Sequence, residues 1–214
     1  MKYLTLFLAS VFILLGQSNE FFNIPVLDLN NRHDIQVIID KEPGVYLGHP
    51  STVLLEDGKT ILVVYPKGHG SGEIIYKRSL DGGKSWSDRL PVPENWSTSK
   101  EVPTIHRVID KNGTKRLIVW SGLYPARLSI SEDDGLTWSS LKKVGNWGGI
   151  VVMGSVIALK PPGHYLGMFH DDGRFFTKNG KGTGIFTLYK TISIDGGKTW
   201  SHPIDIYSNS KIHL

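Results

Sequence analysis

The 214-residue sequence has no cysteine. That absence excludes structural disulfides, thiolate catalysis and cysteine-bound zinc. Concentrated positive charge is also missing. The formal net charge is +4, but no lysine-arginine stripe gathers it, so no nucleic-acid partner is expected. Beyond about residue 20 no stretch carries the 3.6-residue apolar period of an amphipathic helix. Long hydrophobic runs are scarce as well. The one that stands out, YLTLFLASVFILL, is 13 residues long, short of the ~20 that a membrane-spanning helix needs. It follows Lys2 and precedes GQS, the layout of an export signal with cleavage near Ser18. Residues 1–18 are therefore expected to be a signal peptide. With no cysteine at the cut to carry a lipid, the mature chain is expected to be periplasmic or secreted, without a stable membrane anchor.

Turn formers are plentiful instead: 24 glycines and 11 prolines. Between them lie short β-rich runs such as IQVII (35–39), TILVVY (60–65), RLIVW (116–120), YLGMF (165–169) and FTLYKTIS (186–193). Their spacing and the EDG, DGG, KNG, DDG and PPG turns between them predict an all-β chain. One turn returns three times, as SLDGGKSW (79–86), SEDDGLTW (131–138) and SIDGGKTW (193–200). Each copy joins the third to the fourth strand of a repeat of about 50 residues. Four strands at that period predict the blades of a β-propeller, at approximately 48–95, 101–147 and 150–208.

The chemistry of the repeated turn is structural. Asp81, Asp133 and Asp195 can accept backbone N–H groups, as aspartate does in turns. Gly83, Gly135 and Gly197 can supply positive φ. Trp86, Trp138 and Trp200 can tuck between sheets and pin the turn. A catalytic residue is needed once, whereas a fastener is needed in every blade. These turns resemble the Asp-box, or BNR, repeats of the sialidase superfamily and the proteins like glycoside hydrolase family 33. The resemblance covers 44–208 and implies a six-bladed propeller of which about three blades are present, as in an N-terminal fragment. It also implies a glycan substrate or ligand and no cofactor. No spacing of metal ligands is evident, and nothing in the sequence sets an oligomeric state.

Strands that alternate in direction sort the loops onto two rims. The Asp-boxes share a rim with the first-to-second turns. The opposite rim, where the resemblance places the active site, carries the second-to-third loops and the lead-ins to each first strand. Those segments hold Tyr46 and His49 (GVYLGHPS), Lys67, His69 and Glu73 (PKGHGSGE), Glu101 and His106 (SKEVPTIHR), Tyr124 and Arg127 (GLYPAR), and His170 and Asp171 (FHDDGR). Such mixtures of acid, base and aromatic residues suit a polar sugar site. His69 and Glu73 are the candidates for proton transfer, and His49, Lys67, Glu101, His106, Tyr124, Arg127, His170 and Asp171 are candidates for substrate contact. Sialidases open their first blade with Arg-Ile-Pro, where this sequence has Gly48-His49-Pro50. The arginine expected to bind a sialic acid carboxylate is thus absent. That departure leaves two readings of the parent protein: an exported glycosidase for sialic acid or another sugar, or a carbohydrate-binding propeller without catalysis.

Overall fold

The three repeats become three antiparallel sheets in a computed structural model that describes residues 25–70, 72–100 and 102–210. The expected signal peptide, and Glu101, lie outside the described residues. Residues 25–36 belong to a separate unit, with a 3-10 turn at His33–Ile35 and an Arg32–Asp34 ion pair of 2.7 Å. Among the described residues no helix is long and apolar enough to cross a membrane.

In the unit from Val37 onward, blade one comprises β1 (Ser51–Leu54), β2 (Ile61–Pro66) and β3 (Ile74–Ser79). Blade two comprises β4 (Thr104–Ile109), β5 (Lys115–Ser121), β6 (Arg127–Ser131) and the two-residue β7 (Lys142–Lys143). Blade three comprises β8 (Val152–Ala158), β9 (Tyr165–Asp171), β12 (Thr187–Ser193) and β13 (Ile204–Ser208). A small hairpin, β10 (Thr177–Lys178) with β11 (Lys181–Gly182), is inserted in its second-to-third loop. The sheet orders are β1-β2-β3, β4-β5-β6-β7 and β8-β9-β12-β13, so every consecutive pair is a meander. The first strands β1, β4 and β8 neighbour one another in turn, as the innermost strands of successive propeller blades do.

Two expected strands do not form. The segment SWSDRLPV (85–92) contributes only two backbone hydrogen bonds to β3, from Ser87 N–H to Arg78 O (2.8 Å) and Leu90 N–H to Tyr76 O (2.9 Å). Pro91 and Pro93 have no N–H with which to extend the ladder. The segment at 36–40 is extended but unpaired. Ile39 and Leu47 instead pack with Val63, Tyr65, Ile75 and Trp86 on the outer face of blade one. Asp40 anchors this cover, accepting Tyr65 Oη (2.5 Å) and Arg89 Nε (2.7 Å).

Strand alternation divides the apolar side chains between two interfaces. Leu62, Val64 and Tyr76 meet Leu117, Val119 and Ile105 between blades one and two, with Trp96, Trp138 and Leu141 filling the outer part. Ile118, Trp120 and Leu128 meet Phe169, Met153 and Trp200 between blades two and three. Fully burying side chains of this size stabilises by about 1.5–3 kcal/mol each, so these interfaces hold the blades together.

The Asp-boxes explain how the blades lock. In the second box Ser131 Oγ donates to Asp133 Oδ1 (2.8 Å), while Gly135 N–H donates to Ser131 Oγ (2.8 Å). Thr137 N–H and Oγ1 both donate to the Asp133 carboxylate, at 2.9 and 2.5 Å. The first and third boxes repeat this pattern through Asp81 and Asp195. Gly83, Gly135 and Gly197 have φ of +87°, +80° and +80°, a region that only glycine adopts cheaply. Trp86 and Trp200 donate from Nε1 to Gly83 O and Gly197 O (3.2 and 3.0 Å). Trp138 differs: its Nε1 is buried without a partner, and its ring is held edge-on by Tyr76 and Trp96. The second and third boxes also reach the blade before them. Tyr76 Oη donates to Gly135 O (2.9 Å), and the Trp200 ring meets Trp120 at 5.2 Å.

Candidate functional site

The backbone confirms the sorting of the two rims. Gly82 N–H donates to Lys59 O and Gly196 N–H to Gly163 O, both at 2.9 Å, so boxes one and three lie against first-to-second turns. On the opposite rim Leu47 bridges to Lys67, Gly68 N–H donates to Tyr46 O (2.9 Å), and Leu123 bridges to Ile150.

At blade one this rim gathers three rings. The His49 and His69 rings lie 5.1 Å apart between centroids, and Tyr46 is 6.0 Å from His49 and 5.8 Å from His69. All three residues are exposed. Two local features create the cluster. A Cβ on Gly48 would stand 2.3 Å from the Tyr46 ring, so only glycine lets that ring fold across the chain. His49 has φ +50°, a left-handed conformation uncommon for any residue but glycine and met at functional sites. The missing arginine of the Arg-Ile-Pro pattern thus has a structural counterpart: Tyr46 occupies the space into which a side chain at position 48 would project.

Charge surrounds the rings. Lys67 Nζ lies 3.0 Å from Glu42 Oε1 and 4.0 Å from Glu73 Oε1. Arg89 also pairs with Glu42, at 2.8 Å. Lys67 is therefore neutralised by its neighbours rather than free for an anionic ligand, and Glu73 has a cation beside it. Glu42 carried no signal in the sequence because it precedes the first blade.

The rest of the predicted set divides. Tyr124 is exposed, and its ring is parallel to Phe175 at 6.0 Å; Arg174 covers the Phe175 ring at 5.0 Å. Arg127 donates to Thr98 Oγ1 (2.6 Å) and Thr98 O (2.9 Å) while its Nε is buried without a partner. Burial lowers its pKa, and no ion pair with it occurs among the described residues. Arg127 is thus a partly desolvated cation held by neutral oxygens. Three candidates serve the fold instead. Asp171 is 1% exposed and accepts N–H bonds from Gly173, Phe175 and Phe176 at 2.8, 3.2 and 3.3 Å. Burial raises its pKa; it shapes the loop from within. His170 stacks on Phe186 at 5.8 Å, and burial lowers its pKa. His106 bonds Thr104 Oγ1 through Nε2 (3.0 Å), and burial pushes its pKa down to about 4. Alternation along β4 turns it toward blade three, with Val108. Among the described residues no hydrogen bond or ring contact joins the Tyr46 cluster to Tyr124 or Arg127.

Scans against known protein families and against curated proteins find no match. Solved structures do match. An alpha-L-arabinanase from Penicillium chrysogenum, complexed with arabinobiose, is 20% identical with a TM-score of 0.51, covering 74% of this chain and 49% of its own. A Dyadobacter fermentans protein of unknown function is 21% identical with a TM-score of 0.55, covering 78% and 53%. A Hadza microbial sialidase is 17% identical with a TM-score of 0.52, covering 76% and 38%. The chain thus spans about half, or less, of the length of these structures. At such identities the likeness shows the propeller fold, shared with two glycosidases, and does not choose between arabinanase and sialidase.

Proposed function

We propose that this chain belongs to an exported, carbohydrate-active propeller whose glycan ligand is held at the rim opposite the Asp-boxes. The observation that carries the reading is the exposed Tyr46–His49–His69 cluster, built by Gly48 and the left-handed His49. Aromatic faces beside hydrogen-bonding groups are what a sugar needs for orientation. The fold shared with an arabinanase and a sialidase supports the same class, although fold alone never fixes an activity. As a hydrolase in the sialidase manner, the protein would use His69 as proton donor. Its exposed imidazole lies beside the Tyr46 and His49 rings, within reach of a ligand for general acid–base work, and Glu73 stands beside Lys67. Arg127, lacking a described counter-ion, would contact an acidic group of the substrate.

A second reading is a glycan-binding propeller without catalysis. The engagement of both nearby carboxylates favours it: Glu42 pairs with Lys67 and Arg89, and Glu73 lies against Lys67. One experiment separates the two. The chain is incubated with sialyl, arabinofuranosyl and other aryl glycosides, and binding to the matching oligosaccharides is measured calorimetrically. The hydrolase reading expects one glycoside to be cleaved by the wild type and not by His69→Ala, with binding retained. Binding without any cleavage would leave the second reading standing. Binding that survives His49→Ala together with His69→Ala would move the ligand off this rim.

A further inference from the structure

A larger cleft lies away from this rim, between the outer strands of blade two and the third Asp-box. Its volume is about 550 Å³. Lys142, Lys143 and Lys198 line it over a floor that includes Leu128, Ile130 and Val144. All three lysines are exposed. One carboxylate, Glu132, shares the cleft, and Arg116 Nε already donates to it at 2.6 Å. Lys143 Nζ touches Asn146 Oδ1 at 3.4 Å, and no ion pair with any of the three lysines occurs among the described residues.

The repeat provides an internal comparison. Residues 76 and 128 are equivalent, each pairing with the stretch after its own Asp-box: Leu90 N–H bonds Tyr76 O in blade one, and Lys142 pairs with Leu128 in blade two. Leu90 thus corresponds to Lys142 and Pro91 to Lys143. The corresponding groove of blade one, about 330 Å³, is lined by Leu80, Trp86 and Leu90 among others, and contains no lysine. Leu90 packs onto the core between blades one and two. Its only guanidinium, that of Arg78, is hydrogen-bonded to Asp134 O at 3.0 Å. At the same position of the next box, Leu136 is replaced by Lys198 in the third. The apolar position 90 of the first groove is therefore a lysine, Lys142, in the second, while the box position is Lys84, Leu136 and Lys198 in the three copies.

We propose that this cleft binds an anionic polysaccharide, one bearing sulfate or carboxylate groups, and so forms a second contact with a glycan at a distance from the rim. Three lysine point charges set in a groove favour such a chain by charge complementarity. A nucleic acid is disfavoured because the lining has no aromatic side chain on which a base could stack, and no unengaged arginine fork for phosphate. The choice of a glycan as carrier of the charge rests on the functional reading above.

The test uses the whole chain and heparin as the sulfated probe, with dextran as a neutral polysaccharide and single-stranded DNA as a non-glycan polyanion. The triple variant Lys142→Ala/Lys143→Ala/Lys198→Ala is compared with a control of equal charge change, Lys59→Ala/Lys84→Ala/Lys115→Ala, after melting curves confirm that both fold. Expected is at least a tenfold loss of heparin affinity in the cleft variant alone, a shallower salt dependence by two to three in the logarithmic slope, and no binding of dextran by the cleft. Equal losses in the two triple variants would show diffuse charge and overturn the proposal, as would DNA binding as tight as heparin and equally sensitive to the cleft lysines. The His49→Ala/His69→Ala variant separates the two sites. Heparin binding intact in it, with no glycan recognised at the rim, would sink the functional reading and leave the cleft standing; the reverse pattern would sink the cleft alone.

Discussion

Replacing Gly135 by alanine tests the claim that the second Asp-box clamps the blade before it. Gly135 has φ +80°; a left-handed backbone costs a residue with a Cβ about 1–2 kcal/mol. The added Cβ would also stand 2.4 Å from Tyr76 Oη and 3.0 Å from Leu62 Cδ1. Tyr76 is 2% exposed and Leu62 fully buried, so neither can swing into solvent. Overpacking of this kind costs about 1–3 kcal/mol more, for a total of about 2–5 kcal/mol. Gly82 is the control. It has φ +76°, yet a Cβ there meets nothing within 4 Å, so Gly82→Ala should cost only the backbone share, about 1–2 kcal/mol. Tyr76→Phe by itself should cost about 1–3 kcal/mol, because Gly135 O loses a buried donor. Combined with Gly135→Ala, it also removes the atom that the new methyl group strikes. The double variant should therefore be less destabilised than the sum, by about 1–2 kcal/mol. Urea unfolding followed by tryptophan fluorescence measures all four proteins. Equal costs for Gly135→Ala and Gly82→Ala, or strict additivity with Tyr76→Phe, would refute the clamp.

Asp133→Ala removes the acceptor for Thr137 N–H, Thr137 Oγ1 and Ser131 Oγ; it should destabilise by about 1–3 kcal/mol while leaving glycan affinity unchanged, as calorimetry beside melting curves would reveal. His106 gives a pH signature. Its unfolded imidazole takes a proton near pH 6.5 and the folded one only near 4, so stability should fall as pH drops through that window, by up to about 3 kcal/mol, and His106→Gln should flatten the decline in melting temperature. Gly48→Ala should displace the exposed Tyr46 ring at little cost to stability, so ligand affinity at the rim should fall with an almost unchanged melting temperature; an unchanged affinity would remove Tyr46 from the site.

The repeated octapeptides made the blades, the rims and the structural role of the Asp-box legible in the sequence, because eight residues in fixed register define one turn. Pairing partners were less legible. SWSDRLPV has strand-like alternation, yet Pro91 and Pro93 stop its ladder, and IQVII is apolar without a neighbour to pair with. The β10–β11 hairpin was missed despite its signal: Asn179-Gly180 is the dipeptide of a type I′ turn, and both residues have positive φ. Among the site candidates, sequence position located the rim but not which way each side chain turns. His49 and His69 face solvent, whereas Asp171 folds into its own loop and His106 turns between blades. Those outcomes depend on strand register and loop closure, which loop composition does not encode. Tyr46 became prominent only through the missing Cβ of Gly48.

The clamps all point the same way along the chain, and this gives the molecule a direction. Blade one's outer surface is sheathed by residues 37–47, whereas the far surface of blade three presents Ile157, Ile204 and Tyr207 at 50%, 54% and 56% exposure. In blades two and three the fastener follows the third strand in the chain, so in a chain that folds as it is made each lock is expected to close only after three strands of its own blade are in place.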